Sequence, residues 1–217
     1  MKNSILLSIL ILLCISVSAQ TYQVLFQTNK GNIKVLLYDE TPKHRDAFLK
    51  SVRDGLFTKV AFNRVIKDFV SQGGELDETI LEREAAHPEQ PLKRIDAEIK
   101  PNLLHRKGAL GAGRNDNPEK LSYLSQIYFV AGKKYTESQL DALAKRKGKE
   151  FSSQQREVYQ SVGGTPHLDG DYTVFGQIIE GMEVADAINR VPTNSSDLPL
   201  TPVTFSVKIL KKQSLRN

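Results

Sequence analysis

Short strand-like runs of apolar residues recur along the chain, separated by turn residues. The first two, over residues 23–28 and 32–38, flank a Gly-containing turn and predict a β-hairpin. Further strands are predicted over residues 61–66, 69–72, 108–113, 125–130, 172–179 and 204–210. So many short strands with only two framework helices favour a mainly β fold built as a closed antiparallel barrel, rather than alternating βαβ units.

The two framework helices are marked by the residues at their ends. Thr41 is a capping residue followed by Pro42 at the first helical position, and Gly55 marks the stop, so one helix is predicted between them. The second helix is predicted over residues 182–189. The polar stretch 75–107, with its scattered prolines, is predicted to be an irregular excursion.

A helical insertion is predicted at about residues 133–164. Thr136 with Gln139, and Ser152 with Gln155, have the spacing of capping boxes, in which each side chain caps the other residue's backbone N–H. The pattern therefore predicts two short helices between two strands of the barrel.

The first nineteen residues have the pattern of a secretory signal peptide. Lys2 precedes an apolar run over residues 5–15, and Val17 and Ala19 occupy positions minus three and minus one of a cut before Gln20. The apolar run is too short to cross a hydrocarbon core of ~30 Å, so we expect no membrane-embedded segment, with a retained N-terminal anchor as the alternative. We predict cleavage near Ala19 and export to the periplasm or the exterior.

Composition and charge narrow the range of functions. The 217 residues carry 30 basic and 25 acidic side chains, interleaved almost everywhere, which argues against a nucleic-acid partner. Cys14 is the only cysteine, so cleavage would leave residues 20–217 as a single domain without thiols, which suits an oxidising compartment. Lipid attachment at Cys14 is the alternative, disfavoured because Leu13 precedes it where a small residue is wanted. Four scattered histidines lack metal-ligand spacing, so we expect no metal and no cofactor.

One segment, residues 62–75, contains an arginine in an unusual setting. In a strand the side chain of Arg64 shares a face with those of Phe62 and Ile66, and a charge between two large apolar side chains needs a partner or a ligand. For this arginine alone, an ion pair with a carboxylate is the simpler interpretation. The histidines His44, His87 and His105 are most simply interpreted as surface residues.

This segment resembles the signature of the cyclophilin family of peptidyl-prolyl cis-trans isomerases, which contains Phe-His-Arg-Val/Ile-Ile, then Phe, then Gln-Gly-Gly-Asp. The similarity covers nearly all of residues 22–211 outside the insertion, and its further motifs follow in the family's order at residues 125–128, 167–170, 174–176 and 180–184. The resemblance implies a closed eight-stranded antiparallel barrel capped by two helices. It also implies an enzyme that accelerates rotation about X-Pro peptide bonds without a cofactor.

The resemblance also implies the roles of individual residues. Arg64 would be catalytic, donating to the carbonyl oxygen of the substrate proline and approaching its ring nitrogen as the amide twists. The implied substrate-binding residues are Phe69, Val70, Gln72, Gly113, Arg114, Gln126, Ile127, Tyr128, His167, Leu168 and Tyr172.

Several of these positions depart from the family's common residues. Val70 stands where many members have Met, and Ile127-Tyr128 where many have paired Phe. His167 and Tyr172 stand where better-studied members have Trp and His. These changes bear on the rate more than on the reaction. Asn63 replaces the usual His next to Arg64 but is expected on the opposite face of the strand, with little consequence.

Two functional hypotheses follow. The first is an exported isomerase that acts on proline-containing segments and assists folding; Arg64, Phe69 and Gln72, intact together, favour it. The second is a cyclophilin-fold chaperone or partner-binding module with little turnover. We expect a monomer in either case. The basic run at residues 145–149 is most simply solvated charge, with a partner-binding patch as the alternative.

Overall fold

The predicted hairpin opens the chain in a computed structural model that describes residues 20–210 and 213–214. Strand β1 (Gln20–Thr28) pairs antiparallel with β2 (Gly31–Leu37) through the predicted turn. Alternate side chains of both strands, such as those of Phe26 and Val35, are fully buried, because successive residues of a strand point to opposite faces. One face of the hairpin therefore builds the core.

Eight strands close into a barrel. The remaining strands are β3 (Val60–Ile66), β4 (Val70–Gly74), β5 (Arg94–Ile95), β6 (Ala109–Ala112), β7 (Ser122–Tyr123), β8 (Gln126–Val130), β9 (Val174–Glu180), β10 (Val203–Ile209) and β11 (Gln213–Ser214). Around the barrel the order is β10, β3, β4, β8, β6, β9, β2 and β1, and β1 pairs with β10 to close it. Every pairing is antiparallel, so the predicted fold class is confirmed. Strand β11 pairs antiparallel with the first two residues of β1, and β5 pairs with β7 as a separate ribbon.

Five helices accompany the barrel in the part of the chain that the structure describes. They are α1 (Pro42–Arg53), α2 (Asp77–Ala86), α3 (Glu137–Lys147), α4 (Ser153–Ser161) and α5 (Met182–Ile188). Within that part, no helix is both long and apolar enough to cross a membrane. Helix α2 corrects the prediction of an irregular excursion. It buries only Ile80 and so lacks the apolar stripe by which a helix is recognised in a sequence.

The two helices of the insertion begin where their capping boxes predicted. Thr136 and Gln139 bond reciprocally at the start of α3, and Ser152 and Gln155 do so at the start of α4. The helices enclose a small core of their own, composed of Leu140, Leu143, Phe151 and Tyr159. The insertion is thus a compact helical unit with its own small core rather than an extended loop.

Aromatic rings fill the interior of the barrel. Phe26 packs against Phe129 and Phe205 with ring centroids 4.9 and 5.5 Å apart, and Phe48 of α1 adds to this cluster. Helix α5 contributes Ile188 to the same core. An interior filled in this way leaves no room for a ligand, so a binding site has to lie on the outer face.

Candidate active site

A β-bulge in β3 decides where Arg64 points. Asn63 is an extra residue in β3 relative to β4. Phe62 before it and Val65 after it are both buried in the barrel core, whereas the side chain of Arg64 is 44% exposed on the outer face. The prediction that Arg64 shares a face with Phe62 is therefore wrong, because the bulge resets the two-residue alternation of the strand.

Five residues from five neighbouring strands form one row across the outer face. Arg64 pairs with Gln72, Gln72 with Tyr128, Tyr128 with Gly111, and Gly111 with Val174. Because adjacent strands lie ~4.8 Å apart, about 10 Å separates the backbones of Arg64 and Tyr128. Residues that are far apart in the sequence thus stand side by side.

Arg64 lies in a cleft at one end of this row. The cleft has a volume of about 480 Å³ and is lined by Asn63, Arg64, Gln72, Leu76, Asp77, Glu78, Ser196 and Leu198. The Arg64 Nε atom lies 3.6 Å from Asp197 Oδ2, in a half-exposed ion pair of the kind worth only ~0–1 kcal/mol. Arg64 can therefore exchange this partner for a ligand at little cost.

Asn63 lines the same cleft, so the prediction that it lies on the opposite face is also wrong. Its Nδ2 atom donates a hydrogen bond of 2.6 Å to the carbonyl oxygen of Gly74. The bulge brings Asn63 and Arg64 to the same side of the strand, and the side chain of Asn63 then ties β3 to the end of β4.

A cluster of apolar side chains, called the apolar pocket below, lies beside the row. Val70 and Tyr128 are buried in an outer cluster that Phe69, Leu168 and Tyr172 cover in part. The ring of His167 stacks on the ring of Phe69, with centroids 5.1 Å apart and an interplanar angle of 25°. Six predicted binding residues therefore come together here: Phe69, Val70, Tyr128, His167, Leu168 and Tyr172.

The surroundings of His167 favour the neutral form of its ring. Burial lowers its pKa first, and the positive charges of Lys147 and Arg146 lower it further. A neutral ring stacks on Phe69 without bringing a charge into the apolar pocket. This setting suits a wall of the pocket better than a proton donor.

The ring of Tyr128 occupies the space above Gly111, where a side chain is missing. A Cβ atom at position 111 would come within 2.2 Å of the Tyr128 ring. The glycine thereby lets Tyr128 lie flat across β6 as part of the pocket. No property of the Gly108–Gly113 segment in the sequence shows which ring approaches it.

Gly111→Ala is expected to lower the free energy of unfolding by about 1–3 kcal/mol, because the added methyl group overpacks against Tyr128. Urea denaturation followed by circular dichroism measures this change. The matched control is the same substitution in a Tyr128→Ala background, where the obstructing ring is gone and the added cost should be close to zero. Equal costs in the two backgrounds would show that the contact with Tyr128 is not the cause.

Gln126 and Gly113 lie next to the Arg64 cleft, because Gln126 is bonded to Asp77 of its lining. The Gln126 side chain is buried, and its Nε2 atom donates to Glu75 O at 3.0 Å and to Asp77 Oδ1 at 2.6 Å. A Cβ atom at position 113 would come within 1.9 Å of Gln126 Oε1, so only glycine fits there without displacing the amide. Gln126 and Gly113, both predicted to bind substrate, are therefore adjacent. Hydrogen bonds within the protein hold the side-chain amide of Gln126 in place.

Arg114 and Ile127 are placed differently from the other predicted binding residues. The Arg114 guanidinium lies 4.6 Å from the centre of the Tyr172 ring, and its Nε donates to Asp171 O at 2.8 Å. Arg114 thus supports the ring that covers the pocket. Ile127 belongs to the barrel core, so the prediction that it adjoins the pocket is wrong. Its neighbour Tyr128 faces outward, and the strand alternation turns Ile127 inward.

A buried hydrogen-bond chain runs from the pocket into the insertion. Asp169 accepts from His105 Nδ1 at 2.8 Å, from the His105 backbone N–H at 2.9 Å, and from Tyr159 OH at 2.5 Å. When the Nδ1–H group of His105 donates its hydrogen bond to the Asp169 carboxylate, the Nε2 atom of the same ring accepts one from Tyr128 OH at 2.8 Å. Burial raises the pKa of Tyr128 well above its ordinary value, so its hydroxyl remains a donor.

His105 is 1% exposed, so its interpretation as a surface residue is wrong. His44 is equally buried, with Nδ1 2.8 Å from Glu98 Oε2 and Nε2 3.0 Å from Ser122 Oγ. Burial lowers the pKa of His44. No local sequence signal marks these histidines as buried, because their partners are distant in the chain. Within residues 20–210 and 213–214, no group of three or more His, Cys, Asp or Glu residues is arranged to hold a metal ion.

Comparison with known proteins finds one family along nearly the whole described chain. The model described as "Cyclophilin type peptidyl-prolyl cis-trans isomerase/CLD" matches residues 23–209. A protein of Staphylococcus saprophyticus named as a peptidyl-prolyl cis-trans isomerase is 31% identical over 197 residues, covering 90% of this chain and 95% of that protein. A Staphylococcus epidermidis protein of the same name is 32% identical over 187 residues, 84% of this chain and 88% of its own length.

Solved structures share the fold. A cyclophilin-type peptidyl-prolyl cis-trans isomerase of Cryptosporidium parvum superposes with a TM-score of 0.62 at 21% identity, over 88% of this chain and 98% of that one. The same protein crystallised in the presence of the dipeptide Ala-Pro gives a TM-score of 0.61 at 21% identity, over 87% and 99% of the two chains.

Proposed function

Since this chain belongs to the cyclophilin-type peptidyl-prolyl cis-trans isomerases, we propose that it binds a polypeptide across the outer face of the barrel, with Arg64 acting on the proline. The protein is a peptidyl-prolyl cis-trans isomerase, and the proposal concerns which residues carry the reaction. The observation that supports it is the row of Arg64, Gln72 and Tyr128 beside the apolar pocket. A proline ring in that pocket has its amide within reach of the arginine.

The reaction requires weakening of the amide resonance. Rotation about the C–N bond has a barrier of ~18–20 kcal/mol because that bond is partly double. As the amide twists, a lone pair forms on the proline nitrogen, and a donor that meets this lone pair stabilises the transition state more than the planar ground state. Arg64 suits this role because a guanidinium stays protonated and holds its donors in a rigid fork.

The apolar pocket contributes in two ways. The charged hydrogen bond from Arg64 is worth ~1.5–3 kcal/mol, or roughly one to two decades in rate. Arg64 is therefore not the whole catalyst. Transfer of the amide from water to the surface formed by Phe69, Tyr128 and Leu168 disfavours its charge-separated planar form, which assists rotation. Burial of three or four CH₂ groups of the proline ring contributes about 3 kcal/mol, which corresponds to millimolar affinity at best. Weak binding suits a catalyst that acts on many exposed X-Pro sites.

An exchange experiment tests the proposed function directly. We expect the protein to accelerate cis-trans exchange of an X-Pro peptide, measured by NMR exchange or a protease-coupled assay. The dipeptide Ala-Pro should shift the NMR signals of Phe69 and Tyr128 and leave those of the interior residue Ile127 nearly unmoved. Absence of exchange catalysis would leave the alternative, a binding module with little turnover.

We also propose that the enzyme is exported and assists the folding of exported proteins. The predicted signal peptide, residues 1–19, lies outside the residues that the structure describes. What supports the proposal is its sequence pattern, with Lys2, the apolar run and the small residue Ala19.

Intact mass spectrometry of the protein from its native host is expected to find a chain that begins at Gln20, because the signal peptidase cuts after Ala19. The control is an Ala19→Leu variant, in which a bulky residue at the cleavage position should leave the leader attached. A full-length wild-type chain that begins at Met1 would refute the proposed cleavage after Ala19.

A further inference from the structure

A small cleft lies between the insertion and the apolar pocket. This insertion cleft has a volume of about 220 Å³ and is lined by Lys133, Tyr135, Gln139, Ala142, Leu143, Arg146 and His167. His167 also stacks on Phe69, with ring centroids 5.1 Å apart, so the imidazole is the shared wall between the cleft and the pocket. The insertion cleft therefore adjoins the apolar pocket.

The charges at the insertion cleft are positive. Its lining includes Lys133 and Arg146 but no Asp or Glu. Lys133 Nζ lies 5.6 Å above the centre of the Tyr135 ring, and Arg146 is exposed with no carboxylate partner among the described residues. Both cations therefore face solvent at the cleft, and no carboxylate of the described residues forms an ion pair with either of them.

The nearby acidic residues are turned away. Glu137 and Asp141, on the same helix as Arg146, both pair with Arg156 of α4. Asp171 is held by Lys120 and Lys147 at 3.1 and 3.3 Å. The acids on α3 and in the loop after the pocket are thus already paired with other cations.

The basic residues of the run at 145–149 differ in their contacts. Lys147 pairs with Asp171, and Lys149 donates to the carbonyl oxygen of Asp169. Arg146 alone of this run lines the insertion cleft, while Lys145 is exposed and does not line it. The positive charge of Arg146 also acts at the pocket wall, where it helps to lower the pKa of His167.

We infer that the insertion cleft is a second subsite that takes an acidic side chain of the polypeptide whose proline occupies the apolar pocket. The inference rests on the proposed function, because it extends the same bound chain. An extended chain advances ~3.3 Å per residue, so a Glu or Asp about two or three residues from the proline reaches Lys133 and Arg146. The insertion thereby gives the enzyme a preference for acidic X-Pro segments.

Isomerisation of matched peptides tests the subsite. The peptides carry Glu, Ala or Lys two or three residues before or after the proline and are otherwise identical. At low ionic strength we expect kcat/KM for a Glu peptide to exceed that for the Ala peptide by roughly 2- to 5-fold, and the Lys peptide to fall below it, as for a partly exposed ion pair. Salt at about 0.5 M should remove most of the difference.

Two charge-reversal variants on α3 distinguish an effect of the insertion cleft from an effect of the overall charge of the protein. Arg146→Glu should invert the order of the Glu and Lys peptides, whereas Lys145→Glu, with the same change of charge outside the cleft, should leave it unchanged. Equal effects of the two variants would overturn the subsite in favour of overall charge. Equal turnover of the Glu and Ala peptides by the wild type would also overturn it while leaving the isomerase function intact. No turnover of the Ala peptide would contradict the proposed function itself.

Discussion

Arg64→Ala is expected to lower kcat/KM for an X-Pro peptide by about one to two orders of magnitude, the equivalent of a charged hydrogen bond of ~1.5–3 kcal/mol. The loss should appear in kcat more than in KM, because the arginine meets a lone pair that forms only as the amide twists. NMR exchange at several peptide concentrations separates the two parameters. Arg64→Lys should recover only part of the rate, since an ammonium lacks the rigid fork of donors.

The fold should tolerate the loss of Arg64. Its side chain is 44% exposed and its ion pair with Asp197 is long, so the free energy of unfolding should change by less than ~1 kcal/mol. Arg190→Ala is the matched control, because this arginine is 67% exposed and pairs at 3.9 Å with Asp186, outside the site. It should retain the wild-type rate. An Arg64→Ala enzyme as fast as the wild type would remove Arg64 from the mechanism.

Asp169→Ala is expected to lower the free energy of unfolding by about 3–5 kcal/mol, the cost of removing one partner from a buried polar network. The carboxylate accepts from two groups of His105 and from Tyr159, and its side chain is 11% exposed. Loss of the carboxylate leaves these buried donors without an acceptor. Urea denaturation is best followed by circular dichroism, because the chain has no tryptophan.

Asp171→Ala is the control, two residues further along the chain. Its carboxylate is 34% exposed and pairs with two lysines, so its removal should cost less than ~1 kcal/mol. A cost for Asp169→Ala as small as that for Asp171→Ala would contradict the importance of the buried network.

The Asp169 network also connects the insertion to the reaction. Tyr159 belongs to α4 of the insertion, and His105 carries the chain of hydrogen bonds on to Tyr128 of the pocket. Asp169→Ala should therefore raise KM for X-Pro peptides as well as lower stability, because the pocket loses support for one of its rings. The insertion is fastened to the pocket at this point and provides one wall of the insertion cleft.

The local features of the fold could be predicted from the sequence. A capping box joins residues three apart, so Thr136 with Gln139 was enough to predict the start of α3. Pro42 at the first helical position predicted the start of α1, but the Thr41 side chain makes no capping hydrogen bond there. The cyclophilin signature, carried by motifs in order along the chain, then predicted the closed barrel and a candidate set of site residues.

Which side chains meet depended on contacts between distant segments. The alternation of an ideal strand put Arg64 beside Phe62, but the pairing of β3 with β4 introduced the bulge that turns Arg64 outward. The same pairing across strands placed Ile127 inside the barrel and Tyr128 outside.

The sequence by itself determined most of the elements, although not α2, together with the family and the identity of the candidate arginine, because hydrogen bonds within a turn and short motifs depend on neighbouring residues. The tertiary structure alone decided that His105 is buried between Asp169 and Tyr128, 64 and 23 residues away. It also decided that Arg146 faces the pocket wall. The physical reason is that burial and the pairing of charges depend on which distant segments pack together, and no spacing along the chain records that.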